Sequence, residues 1–210
     1  MKSVRDYLAQ DMWGHILMSG DAVRGCVLGE TCKTDREKHE YCQGIMTMFP
    51  HMMLGNFTRW LWDGNAPKDY QAFMEPSVQA LQSKVFPALE QYFLGGLTEQ
   101  EKGKLLIPLL TDVIPKHVLS GFYDYMFAGQ PDYKDISDFW PEVEPLLRLT
   151  ARELTLCYEG KLDLEEKAEL FLFIGTRYPF LLVKRWYDWQ FGKEKMEGPP
   201  GGPPGPPPEG

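Results

Sequence analysis

The stretch MFPHMMLGNFTRWLW, Met48 to Trp62, contains a histidine that could do chemistry. His51 follows Pro50 and is surrounded in sequence by methionine, leucine and phenylalanine. A histidine in such a setting is often a core residue with one ring nitrogen bonded to a backbone carbonyl. It could also be an axial ligand to a haem, because a porphyrin needs an apolar lining and its iron needs a nitrogen ligand. The residues alone leave both interpretations of His51 open.

A second set of ligand types lies nearer the start of the chain. Cys26, Cys32, His39 and Cys42 could supply four soft metal ligands, but their spacing lacks the paired C-x-x-C knuckle of structural zinc sites. The three cysteines of this set and Cys157 are predicted to be free thiols or core residues in a reducing compartment, and not a disulfide framework. Whether this cluster with His39 binds a metal stays open.

Motifs typical of enzymes are missing from the sequence. It has no Gly-rich phosphate loop between a strand and a helix, no G-x-S-x-G elbow and no H-E-x-x-H pair. The glutamates around His39 and at 165–169 are typical of solvated helix faces. The sequence therefore favours a binding or regulatory role over catalysis.

Composition restricts the class of protein further. The 210 residues are 43% hydrophobic and rich in aromatic side chains, which predicts a folded protein with a buried core. The net charge of −8 argues against nucleic acid as the main partner. The N-terminus lacks a secretion signal, and no uninterrupted apolar span predicts a membrane helix, so we expect a cytoplasmic protein.

Helical periodicity runs through almost the whole chain and predicts an all-α fold. Thr34 with Glu37 and Thr98 with Glu101 have the spacing of capping boxes, which mark helix starts. The glycines of LGGL mark a boundary. We therefore expect two helical halves, residues 1–95 and 96–192, followed by a proline- and glycine-rich tail over 193–210 that is extended and could tether a partner.

The two halves contain related segments. Sliding the sequence by 129 residues aligns EKHEYCQGIMTMFP with EKAELFLFIGTRYP without a gap, and Trp60 then matches Trp186 after a short gap. This favours an internal duplication. An aromatic residue before proline predicts a helix corner in each copy, since the residue before proline is pushed out of the helical region. The two corners, at Phe49 and Tyr178, are expected to superpose. The identical residues are Glu37, Lys38, Glu40, Ile45, Thr47 and Pro50 with Glu166, Lys167, Glu169, Ile174, Thr176 and Pro179.

Three stretches carry a resemblance to the globin domains of globin-coupled sensors and protoglobins, and one of them, LRLTARELTLCYEGKLDLEEKAELFLFIGTRYP, is similar to the family's middle helices. The first is the histidine segment, in which the positions that match the family's pattern are His51, Leu54, Gly55, Arg59 and Trp60. The second is LTEQEKGKLLIPLLTDVIPKHVLSGFYDYMF, which is similar to the family's opening helices and contains the Phe122–Tyr123 pair.

This resemblance implies a globin-like helical bundle that binds haem and a diatomic gas. His51 would be the ligand to the iron, and Tyr123 would donate a hydrogen bond to bound oxygen. Leu54, Trp60 and Phe122 would line the pocket. Because the histidine precedes the opening helices, the resemblance implies a permuted chain in which His51 and Tyr123 face each other across one pocket. In the second copy Tyr178 holds the histidine's place.

Three classes of function stay in play. The chain could be a haem-binding gas sensor or carrier. It could be a haem-free globin-like regulatory domain whose aromatic core replaces the cofactor. It could also be an unrelated helical accessory protein, such as a chaperone for a metalloenzyme. A protein partner or a homodimer is expected in the regulatory and accessory classes.

Overall fold

The structure is a computed structural model that describes Tyr7 and residues 13–192. The predicted tail, 193–210, lies outside the described residues. The all-α prediction is confirmed, since the described residues form helices and contain no strand. The α-helices are α1 (Trp13–Val27), α2 (Asp35–Leu61), α3 (Tyr70–Leu94), α4 (Glu99–Pro108), α5 (Ile114–Phe127), α6 (Trp140–Tyr158), α7 (Leu164–Gly175) and α8 (Arg177–Phe191). A π-helical turn, Leu109–Val113, joins α4 to α5, and a short 3-10 turn, Ile136–Asp138, precedes α6.

Three of these helices begin with the same device. In each capping box the side chain of the cap residue accepts from a backbone N–H three residues later, and a glutamate there accepts from the N–H of the cap. The two boxes predicted from sequence are confirmed, and a third begins α7. The pairs are Thr34 with Glu37, Thr98 with Glu101, and Asp163 with Glu166.

The predicted helix corner at Pro50 is wrong, because α2 runs without a break from Asp35 to Leu61. Proline in a helix interior removes one hydrogen bond, but a helix with buried side chains on both sides of the proline can remain continuous. Thr47 before Pro50 and His51 after it are both fully buried. Tertiary packing therefore holds α2 together across the proline.

The second copy does contain a break, although not at the proline. The backbone of Thr176 leaves the helical region, with φ −124° and ψ −77°, and α8 starts at Arg177. Pro179 then lies in the first turn of α8, where its missing N–H has no helical partner to lose. The prediction that the two corners superpose is therefore wrong.

The aligned threonines of the two segments make the same helical contact, which is also made outside the aligned segments by Thr58, Thr111, Thr150 and Thr155. The hydroxyl of Thr47 donates to the carbonyl of Gln43 at 2.7 Å, and 129 residues later the hydroxyl of Thr176 donates to the carbonyl of Leu172 at 2.6 Å. The alignment with a gap matched Trp60 with Trp186. Without the gap, the shift of 129 residues places Trp186 opposite Phe57, another large aromatic residue. Both of these rings are fully buried.

Aromatic rings form the centre of the core. The indole of Trp186 lies 5.6 to 6.0 Å, between ring centroids, from four other rings. Because these rings come from both predicted halves of the chain, residues 1–95 and 96–192 share one hydrophobic core. The four rings are those of Phe57, Phe122, Tyr123 and Phe127.

The helical stretch Glu99–Phe127 is long and apolar enough to cross a membrane by length and composition alone. Core helices of soluble proteins have the same property. Phe122, Tyr123 and Met126 in this stretch are fully buried against the rest of the chain. The arrangement is compatible with a soluble protein.

Gly103 allows α4 to pack closely on α6. A Cβ at this position would lie 2.9 Å from Cγ of Tyr158, whose hydroxyl is 2.7 Å from that of Tyr92. We therefore expect Gly103→Ala to lower the free energy of unfolding by about 1–3 kcal/mol. Gly44→Ala, in the interior of α2 with open space around it, is expected to raise it by about 0.5–1 kcal/mol. Urea denaturation of both variants checks this, and equal stability of the two would contradict it.

Candidate functional site

His51 lies at the centre of a buried hydrogen-bond network. Its Nδ1 is 2.7 Å from the carbonyl oxygen of Thr47, and its Nε2 is 2.8 Å from the hydroxyl of Ser77. A carbonyl can only accept, so Nδ1 carries the proton and Nε2 accepts from the Ser77 hydroxyl. Both ring nitrogens of the fully buried imidazole are therefore occupied by protein groups.

A second histidine extends this network to α5. Nε2 of His117 donates to the carbonyl of Ser77 at 3.0 Å and is also 3.3 Å from the Ser77 hydroxyl. The network thus joins α2, α3 and α5. Burial lowers the pKa of His51, and so does the neighbouring His117, while the bond to Thr47 acts in the opposite direction. The His51 ring is therefore held neutral in the core.

Tyr123, the predicted distal residue, is also fully buried and hydrogen-bonded. Its hydroxyl donates to Oε1 of Gln190 at 3.0 Å and accepts from the backbone N–H of Lys134 at 2.7 Å. Its ring stacks on Phe127 and Tyr133, with centroids 4.9 and 5.4 Å apart. These contacts fix the end of α8 to the loop after α5.

The structure does not bring His51 and Tyr123 together across a pocket. Ring contacts lead from His51 to Phe73 (6.1 Å), from Phe73 to Phe122 (6.3 Å), from Phe122 to Trp186 (5.6 Å) and from Trp186 to Tyr123 (6.0 Å). A porphyrin between His51 and Tyr123 would have to displace these rings and break the bond to Ser77. The residues in this arrangement do not fit a haem, and the haem assignment stays a prediction.

The other predicted pocket residues are separated. Trp60 stacks on Tyr7, with ring centroids 4.7 Å apart, on another side of the core. Leu54 lines an apolar cavity that the sequence did not predict. Tyr178, which the resemblance places at the histidine's position although the ungapped register pairs it with Phe49, lines the same cavity. Its hydroxyl donates to the carbonyl of Leu110 at 2.9 Å. Burial raises the pKa of Tyr178, so its phenol stays protonated.

This cavity has a volume of about 360 Å³ and lies between the two copies of the duplicated segment. Both copies contribute side chains at equivalent positions, 129 residues apart. The two segments thus share a cavity, but the different backbone at Pro50 and Pro179 counts against the predicted duplication. The equivalent lining pairs are Ile45 with Ile174, Phe49 with Tyr178, Pro50 with Pro179, Met53 with Leu182, and Leu54 with Val183.

The charged residues that line the cavity all come from the starts of α2, α4 and α7, and their exposure places them at its solvent-facing end. Each start contributes a half-buried lysine four residues after its cap, namely Lys38, Lys102 and Lys167. Asp35 and Glu99 also line this end and are exposed, so it is the mouth of the cavity. Three lysines against these two carboxylates leave one positive charge at the mouth.

The three lysines differ in their local partners. Nζ of Lys102 lies 2.9 Å from a carboxylate oxygen of Glu99 and 5.7 Å from the centroid of the Tyr92 ring. Burial raises the pKa of Cys42 and of Cys157. The positive charge of Lys38 acts in the opposite direction on Cys42, and that of Lys167 does so on Cys157. The lysine charges therefore act on the cavity itself.

Cys26, Cys42 and Cys157 contribute thiols to the lining, and all four cysteines are free. Burial raises the pKa of Cys42 to about 12 and raises that of Cys26 as well. In the part of the chain that the structure describes, no group of three or more His, Cys, Asp or Glu side chains could hold a metal ion. His39 lies beside Gln43 and the edge of Phe93 instead. The protonated thiols act as small apolar groups.

Sequence reasoning missed two features of these sites. Ser77 and His117 belong to no motif and reach His51 only through folding, so no local signal could have found them. The three lysines do have a signal, because TDREK, TEQEK and DLEEK place a lysine directly after the glutamate of each capping box. A comparison of the chain with family models, curated proteins and solved structures returned no match.

Proposed function

We propose that this chain is a haem-free helical regulatory domain that works through protein contacts in the cytoplasm. The observation that carries the proposal is the state of His51. Both of its ring nitrogens bond to protein groups, and packed aromatic rings occupy the space toward Tyr123. An aromatic core takes the place that a cofactor would need.

A partner surface is part of this proposal. Met48 and Met52 lie one turn apart on α2 and are exposed, with 56% of Met52 accessible. Methionine side chains adapt to different partners because they are flexible and polarizable. A second copy of the chain or another protein could cover this pair of residues.

The haem-binding gas sensor is the competing proposal, with His51 as the iron ligand and Tyr123 as the donor to bound gas. A bound haem would supply a site for a diatomic gas at its iron. For that role the His51 ring would have to release the Ser77 hydroxyl, and Phe73 and Phe122 would have to move.

Visible absorbance of protein purified from cells supplied with haem distinguishes the two proposals. We expect no Soret band above that of free haem, and no difference between the unmodified chain and His51→Ala. A Soret band that disappears in His51→Ala and persists in Tyr178→Phe would contradict the haem-free proposal. Circular dichroism of each variant checks that the helices are intact.

A further inference from the structure

We propose that the cavity between the two copies binds a single-chain carboxylate of the fatty-acid class. The chain would lie between α2 and α8, and the carboxylate would lie among Lys38, Lys102 and Lys167. This inference goes beyond the haem-free proposal and does not depend on it, because the cavity lies on a different side of α2 from the His51 network.

The interior of the cavity suits an apolar chain. Its volume of about 360 Å³ falls within the range of small-molecule sites, roughly 300–1,000 Å³. Met53, Leu54, Leu182 and Val183 are deeply buried in its wall. A polar ligand would lose its hydration there without gaining partners, whereas an apolar chain loses no hydrogen bonds. Enclosed apolar cavities stay dry and can bind apolar molecules.

The mouth suits one anionic headgroup. A cation in the first turn of a helix is opposed by the helix dipole, yet α2, α4 and α7 each carry a lysine there at the same position after the cap. Lys38, Lys102 and Lys167 also bring three like charges to the lining of one cavity. A ligand carboxylate would relieve both effects by accepting charge-assisted hydrogen bonds from the lysines.

The charge balance favours a carboxylate over a dianionic group. Asp35 and Glu99 at the mouth reduce the three lysine charges to a net charge of one, and Lys102 already pairs with Glu99. One negative charge on the ligand completes the balance. The single cavity likewise holds one chain, which favours a free acid over a two-chain phospholipid.

Titration calorimetry with laurate below its critical micelle concentration and with dodecanol below its solubility limit tests the proposal directly. The two probes have the same chain length and differ in headgroup charge. We expect laurate to bind about tenfold more tightly than dodecanol, with an advantage that shrinks as salt is added. Equal affinity of the two probes, or no binding of either, would overturn the proposal. Acetate, which has the headgroup alone, is expected not to bind.

Variants assign the binding to the cavity. The triple variant Lys38→Met, Lys102→Met, Lys167→Met keeps the apolar stems and is expected to bind laurate no better than dodecanol. Lys104→Met, an exposed position on α4 outside the lining, is the matched control and should bind laurate as the unmodified chain does. Unchanged laurate binding by the triple variant would overturn the proposed headgroup site.

A filled cavity provides a second, independent test. Ile45→Phe adds volume to the wall and is expected to weaken binding of both laurate and dodecanol about tenfold or more, while the midpoint of thermal unfolding stays the same or rises. If this variant binds both probes normally, the chain site lies elsewhere. Co-sedimentation with phosphatidylglycerol vesicles in the absence of laurate binding would point to a membrane surface and would also overturn the proposal.

Discussion

Trp186→Ala is expected to lower the free energy of unfolding by about 3–5 kcal/mol. The indole is fully buried and contacts the rings of Phe57, Phe122, Tyr123 and Phe127 within about 6 Å. Its removal leaves a large void that the rigid rings of α2 and α5 cannot close. Urea denaturation followed by far-ultraviolet circular dichroism measures the change.

Two control variants separate the void from other effects of the substitution. The Nε1–H of Trp186 is buried with no hydrogen-bond partner among the described residues, so Trp186→Phe removes an unsatisfied donor while keeping most of the ring. We expect it to cost less than half as much as Trp186→Ala. Leu149→Ala, at an exposed position, should stay within about 0.5 kcal/mol of the unmodified chain. A small effect of Trp186→Ala would show that the core does not depend on this ring.

Local signals account for the part of the fold that could be predicted from sequence. The capping boxes at Thr34 and Thr98 need only residues three apart, so their spacing identifies the starts of α2 and α4. The apolar periodicity likewise predicts helices without reference to the rest of the chain. The helical class of the fold was therefore accessible from sequence.

The failed corner at Pro50 shows where such local rules stop. The bias of the residue before proline is local, but the burial of Thr47 and His51 depends on α3 and α5, which lie far away in sequence. The same motif at Pro179 lies in the first turn of α8, because the helix has already broken at Thr176. The tertiary environment decided between the two outcomes.

The candidate sites were predictable to different degrees. The sequence offered a buried, backbone-bonded His51 as one of its two interpretations, and Nδ1 does bond to Thr47. Its partner Ser77 comes from a different helix and carries no motif. The sequence aligns the two segments that line the cavity. It does not show which faces of these segments meet, so the cavity could not be predicted from sequence.

The two sides of α2 consequently have different roles. One side presents His51 to Ser77 and His117 and is closed by polar contacts. The other presents Met53 and Leu54 to the cavity, where the second copy of the repeat faces them.

His51→Ala is expected to lower the free energy of unfolding by roughly 2–5 kcal/mol. The substitution removes a fully buried ring and leaves the hydroxyl of Ser77 without the acceptor that it has on His51. His39→Ala is the matched control on the same helix. Because His39 is only partly buried and contacts only the side chain of Gln43 and the edge of Phe93 among the interactions that the described residues show, this variant should stay within about 0.5 kcal/mol of the unmodified chain.

The pH dependence of stability identifies the contribution of His51 separately. Its pKa in the folded chain lies below the ordinary value of 6.5, chiefly because of burial. As pH falls below 6.5, the unfolded chain takes up a proton at this residue and the folded chain does not, so stability declines until the lowered pKa is reached. Above 6.5 the contribution is fully present. We expect His51→Ala to flatten this part of the profile and His39→Ala to preserve it. Urea denaturation of all three proteins between pH 5 and pH 8, roughly the range in which histidine titrates, measures this dependence. If the free energy of unfolding of His51→Ala changes with pH as steeply as that of the unmodified chain, the core does not hold the ring neutral.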